Sequence, residues 1–184
     1  MTRTDSMQKL DKLEYEARKQ LSSSCARVMA CRDPVKVEIT NMAEGERVCK
    51  QVRDFAPGDD RASTREVVLT KTFFMERSDF RADGAGDADF WGLAPGKEVL
   101  LKYFFNFKCT SFEQQADGRV AKITGTLDKT NANKCKGAVH WVSCDSCVST
   151  EVRMYEPLFT VENLAAPENK DKPWESFLNP NSEV

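Results

Sequence analysis

Apolar residues along this chain follow two periods, and the change between them falls near residue 24. Before it, Met7, Leu10, Leu13, Ala17 and Leu21 recur every three or four positions, which predicts one amphipathic helix over 6–21. Ser6 or Asp5 is placed to cap it, and Ser22-Ser23-Ser24 ends it. Its apolar stripe suits docking onto its own domain, with display to a partner as the alternative. From Asp33 onward the period is two. Val35, Val37 and Ile39 alternate with Lys36, Glu38 and Thr40, as in a strand with one wet face. Further strands are predicted over 47–55, 66–76, 97–112, 119–127, 136–143 and 150–161. Turn chemistry separates them: Ala56–Asp60, the Gly/Asp-rich 78–89, Asp117-Gly118 and the polar 128–134. Beyond Asn163 the period is lost, leaving Trp174, Phe177 and Leu178 as anchors of an extended tail. One helix ahead of many strands of similar length predicts a mainly β chain of barrel class.

Composition narrows the role. The 184 residues carry 27 Lys and Arg against 29 Asp and Glu, a net charge of −2, so any nucleic-acid contact must come from a local patch. No apolar run is long enough to span a bilayer. Seven cysteines, with no secretory signal ahead of them, point to reduced thiols in the cytoplasm or mitochondrial matrix. Cys144-Asp145-Ser146-Cys147 is a C-x-x-C. With Cys135 and His140 it would supply four zinc-type ligands. Five positions along one strand place Cys135 and His140 on opposite faces, so no metal is expected there. His140, the only histidine, suits packing better than general-base work. Phe104, Phe105 and Phe107 suit barrel filling better than base stacking. Trp91, after a Gly/Asp loop, is either an exposed partner anchor or a side chain folded onto its own barrel.

Several motifs occur in one order along the chain. They are Arg27-Val28-Met29-Ala30 with Pro34-Val35-Lys36, then Glu76-Arg77-Ser78-Asp79-Phe80-Arg81, then Leu93-Ala94-Pro95-Gly96-Lys97-Glu98-Val99. The runs KGAVHWVS and EVRMYEPLFTVEN and the final FLNPNS follow. Together they resemble the C-terminal anticodon-binding region of glutaminyl-tRNA synthetases over roughly 7–182. The resemblance implies β-barrels of the six-stranded, ribosomal-protein-like type that share strands and grip the anticodon arm of a tRNA. On it, 1–24 is a helical lead-in, 25–163 the barrel region and 164–184 an extended tail. Nothing matches the family's catalytic motifs or a phosphate-binding Gly loop, so the expectation is no catalysis and no cofactor.

The departures are specific. Trp91-Gly92 stands where the family has a basic pair, Leu100-Leu101-Lys102 where bacterial members have R-x-R, and Gly58 where a loop asparagine is expected. Base readers are therefore largely replaced, while Arg27, Arg77, Arg81, Lys102 and Lys108 remain as candidate RNA contacts. The expectation is a tRNA- or RNA-binding module. The alternative is a structural subunit of a larger protein assembly, docking through a barrel edge left open where the sequence stops.

Overall fold

The computed structural model describes residues 10–84 and 89–183. The chain divides into two compact units, which meet in sequence between Cys147 and Val148.

The first unit begins with α1 (Leu10–Ser24). The capping residues expected at Asp5 and Ser6, and Met7 of the stripe, lie outside the described residues. Every residue from 11 to 24 is exposed, including Leu13 and Leu21, so the stripe is not docked on this unit. What ties the helix down is its last turn. Arg61 donates to the carbonyls of Ser24 (3.0 Å) and Ser23 (2.9 Å), while Asp59 holds the same guanidinium at 2.6 Å. These are helix-end carbonyls with no partner further along the helix, and a cation there also meets the dipole.

Among the described residues nine strands follow: β1 (Pro34–Ile39), β2 (Val48–Arg53), β3 (Thr64–Leu69), β4 (Thr72–Glu76), β5 (Glu98–Leu101), β6 (Asn106–Gln114), β7 (Val120–Asp128), β8 (Ala138–Val139) and β9 (Trp141–Ser143). β2 and β3 form a two-stranded ribbon. The others form one sheet in the order β8-β5-β6-β7-β1-β4-β9. Its two outermost strands are consecutive in sequence, with only His140 between them. Residues 138–143 thus pair with β5 in parallel on one side and with β4 antiparallel on the other. The sheet closes on itself into a barrel of six staves, with 138–143 as the seam.

Besides 136–143, which His140 divides, two more predicted strands are each two. The 66–76 run breaks at Thr70-Lys71, because β3 belongs to the ribbon and β4 to the barrel. At the break the Thr70 hydroxyl donates to the Thr72 carbonyl (2.9 Å) and lies 3.0 Å from Ser143 Oγ, so it is satisfied although buried. The 97–112 run is a hairpin of β5 and β6, with Val99 opposite Phe107. Alternation continues on both sides of its turn, which hides the reversal. The left-handed position is held by Tyr103 (φ 74°), not by a glycine. Lys50 Nζ donates to the Tyr103 carbonyl at 2.7 Å and steadies it.

The core follows the period-two pattern. Val35, Val37, Phe73, Met75, Val99, Leu101, Phe107, Cys109, Ile123 and Trp141 are fully buried. Phe73 meets Phe107 (5.6 Å) and Trp141 (5.8 Å) edge to face, and Phe104 meets Trp141 at 5.3 Å. Each such pair contributes about 0.5–1.5 kcal/mol beyond its area. Phe104 and Phe107 are therefore barrel filling, as expected.

The second unit, 148–183, has little regular structure. The predicted strand 150–161 is reduced to single bridges, Tyr155 with Glu183 and Phe159 with Leu178. Four prolines in 157–181 (Pro157, Pro167, Pro173 and Pro180) each lack a backbone N–H and interrupt any ladder. Phe177 is buried within this unit, and Phe159 lies 6.4 Å from Trp174.

Candidate nucleic-acid interface

The β-barrel places two groups of basic side chains differently. Arg77, in a single 3-10 turn after β4, is fully engaged. Its Nε pairs with Asp33 (3.0 Å), and its other nitrogens donate to the carbonyls of Val120 and Pro34 (2.8 Å). It ties β4 to the starts of β1 and β7. Arg27 is exposed, with a weak 3.3 Å donation to Ser22 Oγ. Lys102 and Lys108 are exposed on the β5–β6 hairpin, and Lys102 Nζ stands 5.5 Å over the Tyr103 ring.

Arg81 opens a second group. Its guanidinium lies 4.2 Å over the Phe90 ring, and Lys97 Nζ lies 5.2 Å from the same ring while donating to the Phe90 carbonyl. Trp91 follows at once and is 61% exposed. Its side chain faces solvent rather than folding onto the barrel. It stands at an open cleft of about 460 Å³ that is also lined by Asp89, Lys134, Cys135 and Lys136. A neighbouring cleft of about 330 Å³ runs on past the same two lysines to Lys97 and Glu98.

Two glycines set this arrangement. Gly92 is buried, and a Cβ there would collide with the Asp79 carbonyl and the Phe90 ring. Gly92 is thus confined to glycine by its surroundings. Gly137, at the start of the seam, packs against the Trp91 backbone so closely that a Cβ would collide with its carbonyl. The lysines flanking Cys135 therefore come alongside Trp91. The sequence pattern marks 128–134 only as a polar loop and does not single out Lys134 or Lys136. Their spacing around one residue puts both on one face, but nothing local says which residue they face.

The remaining candidates separate. Cys135 lies in the Trp91 cleft, whereas Cys144 and Cys147 follow the seam strand β9. All seven cysteines are free thiols. Burial pushes the thiols of Cys135 and Cys144 up. His140 instead neighbours Cys31 and Glu76.

A closed barrel with an exposed tryptophan among lysines on one face defines a class, a small β-barrel of the kind that presents a basic, aromatic surface. Comparison with known families makes it particular. Residues 25–128 and 138–184 match the anticodon-binding domains of the class I tRNA synthetases for glutamate and glutamine, and the chain belongs to that family. It is 38% identical over 173 residues to a probable glutamine–tRNA ligase of Dictyostelium discoideum, covering 92% of this chain and 21% of that one. It is 34% identical over 192 residues to the glutamine–tRNA ligase of Lupinus luteus, covering 100% and 23%, and 35% identical over 191 residues to that of Psychromonas ingrahamii, covering 100% and 33%. The chain thus spans a fifth to a third of these relatives, in their C-terminal, anticodon-binding part and not in the catalytic domain. Among the described residues, no helix is long and apolar enough to cross a membrane.

Proposed function

We propose that this chain is a non-catalytic tRNA-binding module that holds RNA by phosphate contacts and base stacking, with direct readout of anticodon bases largely given up. The observation that carries this is Trp91, exposed at a cleft whose rim holds Lys134 and Lys136. A π-face accepts any base, and lysines meet the backbone, so the pair grips without discriminating. Gly92, walled in by the Asp79 carbonyl and Phe90, supports the loss of a hydrogen-bonding reader beside it. Arg27, Arg81, Lys102 and Lys108 extend the basic contacts. Arg77 is assigned mainly to bracing the barrel, through its bonds to Asp33, Pro34 and Val120.

Anisotropy of labelled glutamine tRNA and of an unrelated tRNA tests this. The expected result is micromolar or tighter binding of both, falling steeply with salt, and Trp91→Ala weakening both by about 5- to 150-fold. Salt-insensitive binding, or an unchanged affinity in W91A, would overturn it. The compartment that fits this role is the cytoplasm or mitochondrial matrix.

A second reading, a structural subunit of a protein assembly, is favoured by the 148–183 unit. Val152, Tyr155, Leu158 and Trp174 are exposed there although the unit has its own anchor in Phe177. A chain that stays monomeric and sheds every co-purifying protein at moderate salt would exclude this role.

A further inference from the structure

Three donors from three separate stretches converge beside the barrel seam. Cys31 Sγ, a carboxylate oxygen of Glu76 and an imidazole nitrogen of His140 all lie within 4.8 Å of one another. Cys31 lies between α1 and β1, Glu76 ends β4, and His140 is the single residue that divides β8 from β9. Each is held in place. Glu76 is buried, and its two oxygens accept the backbone N–H groups of Arg32 (2.8 Å) and Asp33 (3.1 Å). A carboxylate oxygen has a second lone pair, so these bonds orient the group without saturating it. Cys31 and His140 are both half-buried, and Cys31 Sγ is 3.7 Å from the Phe74 carbonyl, a weak contact.

We propose that Cys31, Glu76 and His140 form a zinc-type divalent-cation site that fastens the barrel seam to β4 and to the segment leading into β1. One thiolate, one imidazole and one carboxylate are all first-rank zinc ligands, and a water completes four. Burial first, then Glu76 and Asp79, push the Cys31 thiol up to about 12, so a bound cation must displace its proton. A dication there reverses the field on the thiol and binds with release of its proton, so affinity rises with pH. The cluster is not the one that cysteine spacing suggests. Cys144 and Cys147 follow the seam, and Cys147 adds to the field on Cys31.

The test uses the full chain, purified with a non-thiol reductant and titrated with zinc against a chromophoric chelator, then with cobalt. One equivalent of metal is expected, with a thiolate-to-cobalt absorption band and a higher Tm in the presence of zinc. Cys31→Ser and His140→Ala should each weaken zinc binding by at least about tenfold, and C31S should lose the cobalt band. The double variant C144S/C147S should bind as the parent does. Near-ultraviolet circular dichroism of the buried Trp141 reports whether C31S, the conservative variant, is folded. No tight equivalent in the parent chain, full affinity in folded C31S, or binding lost in C144S/C147S would each overturn the site.

Discussion

Arg77 shows how far a residue's role depends on partners that its neighbours in sequence do not reveal. In the run Glu76–Arg81 it reads as one basic residue of two, equivalent to Arg81. The fold brings Asp33, Pro34 and Val120 to it from more than forty positions away, and it becomes a brace. Arg77→Ala is expected to lower unfolding free energy by about 2 kcal/mol in urea denaturation, because charged hydrogen bonds are lost and carbonyls left bare. The salt dependence of RNA binding by the folded variant should not change, whereas K134A should reduce its slope. Asp59 allows a similar test by pH. Hydrogen bonds from Arg61 hold its carboxyl down to about 2, below its ordinary 3.8. A depressed carboxylate stabilises fully above its unfolded value and stops doing so as pH falls through 3.8 towards 2. Amide exchange at the end of α1, where Cys25 N–H bonds to the Leu21 carbonyl, should therefore quicken over that interval. In Asp59→Asn it should be fast at neutral pH and show no such step.

Among the elements, the strands were legible and their breaks were not. Alternation located β1, β2, β6 and β7 and most of the core, since one face of each strand is buried. It ran straight through Tyr103 because apolar residues flank the β5–β6 turn and no glycine, proline or asparagine marks it. It ran through Thr70-Lys71 because β3 and β4 are both half-buried, only in different sheets. The strand expected over 150–161 has the right alternation but pairs only at isolated points. The helix stripe was read correctly as a pattern, yet a stripe does not say whether anything covers it. The Trp91–Gly137 contact belongs to this scale, since it couples a loop to the seam. Gly137→Ala is expected to push the Trp91 backbone away, with a stability loss of about 1–3 kcal/mol from overpacking. Affinity for RNA should fall with it, and acrylamide quenching of the Trp91 emission should change. A variant with parental affinity would separate the seam from the cleft.

At the scale of the whole chain, family membership was the most legible property. Motifs in a fixed order carry information that no single motif does. The candidate site was less legible, because it is assembled from separate stretches. Trp91 stood out by replacing a basic residue, but Lys134 and Lys136 gain meaning only when the seam brings them beside it. The closure of the barrel was not visible either. It depends on a parallel pairing of β1 with β7, Val37 beside Ile123, and on residues 138–143 joining two distant strands.

That seam also sets the order in which the molecule can be made. The β5–β6–β7 hairpins can pair as they leave the ribosome, whereas β1 must wait for β7, and β4 and β5 keep an unpaired side until residue 143 has emerged. Contacts between such remote positions make folding slow relative to helical chains of this length. For most of its synthesis the chain therefore exposes sheet borders that other nascent chains could adopt. The last few residues of the first unit decide whether it ends as a closed barrel or a tangle.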